Sequence, residues 1–149
     1  MRIYLDNCCY NRPYDSQVQF SVSMETRAKL HIQDEIRDGM YELVDSYMLE
    51  YENSFNPDNM KRNSIQAFRE KYRSFYVPDA RHDALNDKIV EIMAYGIHFK
   101  DAVHAACAIY AGCEYLLTTD VRFSRKYSGN EIIIVNPVDF IRMEEGEEK

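Results

Sequence analysis

The sequence has no tryptophan, and only five glycines, four prolines and four cysteines in 149 residues. So little glycine and proline excludes a collagen-like or low-complexity chain. With 46% hydrophobic and 29% charged residues it is neither a disordered chain nor a coiled-coil rod. The cysteines, Cys8, Cys9, Cys107 and Cys113, form no C-x-x-C pair and no zinc-ligand spacing. A chain of this length buries a core without disulfides, so they read as reduced thiols of a cytoplasmic protein. No apolar run approaches the roughly 18 residues that span a bilayer, and no membrane partner is expected. The start, Met1 to Asp6, meets a carboxylate before a signal-peptide core forms, which speaks against secretion by that route. A net charge of −7 argues against nucleic-acid binding by bulk charge.

What is present alternates between strand-like and helix-like segments. Ile3-Tyr4-Leu5 is a short apolar run closed by Asp6-Asn7, a strand and a turn. A loop over 11–16 ends in a candidate N-cap, Ser16. From Gln17 to Asp38, Phe20, Met24, Ala28, Ile32 and Ile36 recur at helical spacing, and Gly39 is the stop. A strand over 41–45 follows, then helices capped by Ser46 and Asp58, a brief extended piece at 75–78, and two helices ending near Gly96 and Gly112. Tyr115 to Asp120 reads as a strand ending in a carboxylate. Ile132 to Val135 is apolar without interruption, which predicts a strand in the middle of a parallel sheet. Asn136-Pro137 opens a last helix. Strands separated by helices predict an α/β fold, a parallel sheet with helices on both faces. Residues 1–143 read as one domain and the acidic 144–149 as a frayed tail.

In such a sheet the ligand crevice lies beyond the carboxyl ends of the strands. Asp6, Glu50 or Glu52, Asp101 and Asp120 are all sent there from separate segments. Each alone has a structural explanation, as a turn residue or a first-turn helix acid. Together they raise one another's pKa and need compensation. Oxygen ligands of this kind suit Mg2+ or Mn2+, and such an ion serves phosphoryl chemistry.

These residues resemble the PIN-domain nucleases, which include the VapC-like toxins of bacterial and archaeal toxin–antitoxin pairs. The resemblance rests on Ile3-Tyr4-Leu5-Asp6-Asn7, on Asp45-Ser46 followed by Glu52, on Lys100-Asp101-Ala102-Val103-His104-Ala105-Ala106, on Leu117-Thr118-Thr119-Asp120 with Phe123, and on Val135-Asn136-Pro137-Val138-Asp139-Phe140. It covers nearly the whole chain, in the family's order and spacing. It implies a three-layer α/β/α architecture with a central parallel sheet of four to five strands. It also implies a metal-dependent single-strand endoribonuclease acting on single-stranded or structured RNA, with an antitoxin protein as partner and a homodimer as assembly. Asp6, Asp101 and Asp120 match the first, third and fourth family acids as catalytic and metal-binding residues. Glu52, six positions after Ser46, matches the second. Glu50 is the alternative, roughly 200° away on an ideal helix. Thr118 matches a polar position near the metal.

Arg12 and Arg122 are candidates for substrate contact, although Arg12 can equally pair with Asp15. Lys61, Arg62, Arg69, Lys71 and Arg73 form either a set of phosphate contacts or a solvated helix face. Arg125 and Lys126 follow Arg122 beside the acids. Twelve tyrosines offer surfaces for unpaired bases, though most read as packing. His104, one turn after Asp101, reads as a helix-packing residue in preference to one that orients the acid. The alternative function is a catalytically silent RNA- or protein-binding module. Loss of an acid would mark it, and none is lost. A flavodoxin-like or phosphoacceptor domain would want paired acids after the first strand and a Lys after the last.

Overall fold

The computed structural model describes residues 1–79 and 82–146. Strand β1 (Arg2–Leu5) leads through a short helix α1 (Asn7–Asn11) and a 3-10 turn (Arg12–Tyr14) into the long helix α2 (Phe20–Arg37). Then come β2 (Glu42–Ser46), α3 (Tyr47–Ser54), α4 (Asn59–Tyr72), β3 (Arg73–Val77), α5 (His82–Met93) and α6 (Phe99–Tyr110). The chain closes with β4 (Tyr115–Leu117), α7 (Val121–Lys126), β5 (Ile133–Val135) and α8 (Pro137–Glu145). The five strands form one all-parallel sheet in the order β3-β2-β1-β4-β5, flanked by helices. No helix among the described residues is long and apolar enough to cross a membrane.

The centre of this sheet is β1, and its residues Ile3, Tyr4 and Leu5 are fully buried. Leu43 and Val44 of β2 and Leu116 and Leu117 of β4 complete the layer. Each such aliphatic side chain contributes about 1.5–3 kcal/mol by leaving water. Strand order reverses at β1, because the chain runs outward through β2 and β3 and then returns to β1's other side. The register sets Leu5 opposite Leu117, so Asp6 and Thr118 leave neighbouring strands side by side.

Several expectations give way to the structure. Ser16 caps nothing: α2 begins at Phe20, Gln19 makes no side-chain cap, and Phe20 itself is exposed. The segment before it instead begins with α1, which Asp6 caps through its bond to the Asn7 N–H. The uninterrupted apolar run at 132–135 forms an edge strand rather than a central one. Ile132 and Ile134 face the core while Ile133 is 43% exposed, so the burial alternates although the residue types do not. The extended piece at 75–78 belongs to β3, the opposite edge. Glu144 and Glu145 are not frayed: α8 runs through them, and each accepts a side-chain hydrogen bond, from Tyr115 and His31 respectively. Residues 147–149 lie outside the described part.

Asp45, at the end of β2, is fully buried and carries its own compensation. Arg69 from α4 lies 3.1 Å from both carboxylate oxygens, and Arg73 from β3 lies 3.0 Å from one. Arg69 is only 2% exposed. Two of the five basic residues between 61 and 73 are therefore internal ties rather than phosphate contacts. Breaking a buried pair from one side leaves an uncompensated charge. Arg69→Ala is expected to lower stability by about 3–5 kcal/mol in urea unfolding. Arg73→Ala, whose side chain is 32% exposed, is expected to cost clearly less.

Candidate active site at the carboxyl ends of the strands

Asp6 follows β1 and is buried. Its Oδ1 accepts from the Asn7 N–H at 2.8 Å, and its Oδ2 accepts from the Thr118 hydroxyl at 2.9 Å. Thr118 in turn accepts from the Asp120 N–H at 3.1 Å, which links the acid after β1 to the acid after β4. Asp120 caps α7, its Oδ1 accepting from the Arg122 and Phe123 N–H groups. Cys8 stands in the same wall, its sulfur 3.4 Å from Thr118 Oγ1 and 3.6 Å from Asp6 Oδ2.

Glu52, on α3, reaches in from the other side. It hydrogen-bonds His104 Nε2, and the same nitrogen lies 3.7 Å from Asp6 Oδ1. One ligand atom each from Asp6, Glu52 and His104 lie within 4.8 Å of one another. Glu50, the alternative second acid, is exposed and accepts instead from the Tyr76 hydroxyl at 2.5 Å.

Asp101 sits half-buried in the first turn of α6 and makes no hydrogen bond or ion pair among the described residues. Burial first, then the charges of Asp6, Asp120 and Glu52, push its carboxyl up to about 6, against the opposing pull of His104. Asp101 and Asp120 together line a cavity of about 90 Å3 with Arg122 and Lys126. The four acids thus feel one another, and among the described residues no Arg or Lys forms an ion pair with any of them. That donor set, with Asp101 unpartnered, fits a divalent cation.

His104 was expected to serve packing. It is instead fully buried inside the acid cluster. Its Nδ1 lies 2.5 Å from the Tyr4 hydroxyl, which lies 2.6 Å from Ser46 Oγ. Ser46 Oγ also accepts the Leu49 N–H that caps α3. Burial opposes charge on the imidazole, but the Glu52 hydrogen bond and the charges of Asp6, Glu52 and Asp101 outweigh it and hold His104 above its ordinary value. Burial pushes the Tyr4 phenol well above its ordinary value, so it remains a neutral hydroxyl. The available signal was spacing: His104 shares a helix face with Asp101, and Tyr4 shares a strand face with Asp6.

Arg12 does not face the acids with a free guanidinium. It bonds Asp15 and Glu25, each at 2.8 Å. Arg122 is exposed beside Asp101 and Asp120.

The chain is similar to the structure of VapBC2 from Rickettsia felis, solved bound to a DNA fragment from their promoter. Identity is 15%, the TM-score is 0.55, and the match covers 91% of this chain and 98% of the other. It is also similar to FitAcB from Neisseria gonorrhoeae at 17% identity and a TM-score of 0.57, over 91% of this chain and 97% of that one. The fold is that of a PIN domain. No protein-family model matches the chain, and no characterised protein matches it by sequence. Within this PIN fold the acids stand where the strand order reverses, at the crevice an open parallel sheet offers to ligands.

Both raised groups have the same sign for stability. The metal-free folded chain holds protons on Asp101 and His104 that the unfolded chain releases earlier. Their contribution is therefore present at low pH and is lost as pH rises through about 6 for Asp101 and then through the raised value of His104. In EDTA, the thermal midpoint is expected to fall as pH rises through about 6 and to fall further as pH rises through the raised value of His104, and Asp101→Asn is expected to flatten the lower part of that fall.

Proposed function

We propose that this chain is a divalent-metal-dependent endoribonuclease that hydrolyses single-stranded RNA, and that it is the toxin of a toxin–antitoxin pair. The observation that carries the reading is the meeting of Asp6, Glu52, Asp101 and Asp120 in one crevice, with no Arg or Lys ion-paired to them among the described residues. The likeness to VapBC2 and FitAcB supports a toxin held by an antitoxin protein. Mg2+ or Mn2+ is the expected ion, with Asp6, Asp101, Glu52 and Asp120 as its holders.

A bound divalent cation lowers the pKa of water and neutralises phosphate oxygens, and so serves in-line attack on phosphorus. The chain's own residues supply the geometry. Thr118 and the Asn7 N–H fix the Asp6 carboxylate in one orientation. His104 fixes Glu52. Asp101 keeps both oxygens free of protein hydrogen bonds and is mostly ionised at neutral pH. Arg122, exposed on the rim, is placed to meet a phosphate. Hydrolysis of this kind leaves a 5′-phosphate and a 3′-hydroxyl.

A larger groove of about 570 Å3 adjoins the acids, since its Tyr51 and Lys100 are the chain neighbours of Glu52 and Asp101. Tyr51, Tyr76 and Phe99 give it aromatic faces for unpaired bases.

End-labelled single-stranded RNA is expected to be cut with Mn2+ or Mg2+ and left whole in EDTA. Asp6→Asn or Asp101→Asn is expected to slow cutting about a hundredfold or more, as loss of one preorganised charge does. Cleavage that survives both EDTA and Asp6→Asn would remove the reading. Tyr51→Ala is expected to weaken RNA binding by roughly fivefold to a hundredfold, as loss of one stacking ring does, while single-turnover cleavage at saturating RNA changes little.

A further inference from the structure

The acids gathered here are carboxylates, yet the atom that lies between two of them is a nitrogen. His104 Nε2 bonds Glu52, sits 3.7 Å from Asp6 Oδ1, and belongs to a side chain with no exposed surface. Its other nitrogen is held by Tyr4, which is held by Ser46, whose oxygen is already fixed at the start of α3. Read from Nδ1 outward, each hydroxyl in that chain has an acceptor: Nδ1–H donates to Tyr4, and the Tyr4 O–H donates to Ser46. In that direction Nδ1 keeps its proton, and the Nε2 proton, donated to Glu52 in the metal-free chain, is the one a metal would replace. A histidine that ligates a metal has its second nitrogen anchored in just this manner, which fixes the tautomer and the ring. The other His–acid group among the described residues shows the contrast. His31, with Glu35 and Glu145, is exposed and paired to Glu145, and no buried hydroxyl chain stands behind its ring.

We propose that His104 Nε2 is itself a metal ligand. The centre is then a mixed nitrogen–oxygen site built on Asp6, Glu52 and His104, and it takes a first-row transition ion in preference to Mg2+. Imidazole favours transition ions, whereas Mg2+ demands oxygen ligands and keeps its water. The inference rests on the metal-dependent reading above but makes a separate claim about which atoms touch the ion.

The test uses the whole protein and Mn2+ as probe. Pulsed electron paramagnetic resonance of bound Mn2+ is expected to show coupling to a nitrogen nucleus, and the coupling is expected to change when the histidines carry 15N. That labelling leaves the fold untouched. In His104→Gln, checked for folding by circular dichroism, the nitrogen coupling is expected to vanish. Mg2+ is expected to displace Mn2+ from wild type only at an excess of about tenfold or more, and His104→Gln is expected to erase that preference. Mn2+ that binds with no nitrogen coupling would overturn the His104 assignment and leave the nuclease reading standing. Mn2+ that does not bind at all, or binds equally well to Asp6→Asn, would overturn both.

Discussion

Like charges brought together in a partly buried crevice must be compensated, and the rest of this molecule is arranged around how that is done. The chain contains two solutions side by side. Asp45, at the end of β2, is closed off from solvent and answered by Arg69 and Arg73 from the next two elements. Asp6, at the neighbouring strand end on the same edge, is answered by hydroxyl, amide and imidazole groups, none of which carries a permanent charge. The first arrangement is finished within the protein. The second stays electrically open, and the carboxyl of Asp101 registers this by holding its proton to a higher pH.

The sheet topology creates that open position. A parallel sheet whose strand order reverses at β1 sends β1 and β4 out next to each other. Two acids follow these strands directly. The other two arrive on helices, Glu52 in the second turn of α3 and Asp101 in the first turn of α6. Asp120 and Ser46 cap the helices that leave the edge, so the local rules of helix initiation and the placement of the crevice's walls are served by the same atoms.

Much of this was legible in the sequence. Parallel α/β order followed from strands alternating with helices; Asp6 and Asp120 were picked out by their positions after strands, Asp101 by its place in a helix's first turn, and Glu52 over Glu50 by the family resemblance. Gly39, whose φ of 82° only glycine adopts easily, marked the end of α2 as expected. What was not legible has physical reasons. The run at 132–135 reads as central because its residue types are all apolar, but an edge strand beside a helix can bury alternate residues and leave Ile133 in solvent. Ser16 has the right chemistry for a cap, yet the chain spends residues 7–14 in a short helix and a 3-10 turn that Asp6 starts. Arg69 and Arg73 look like surface charge because their partner is more than twenty residues away and buried. His104 looks like packing because the groups it joins, on β1, β2 and α3, are distant in the chain.

Asp6 closes the account, because it faces two ways at once: one oxygen starts α1, and the carboxylate as a whole faces the crevice. Occupancy of the crevice and the winding of residues 7–11 are therefore thermodynamically linked through a single side chain. An asparagine there keeps a good helix cap while discarding the negative charge, whereas an alanine discards both. A lost function in the alanine variant would blur ligation with unravelling of the chain's first helix, and only the amide substitution separates them.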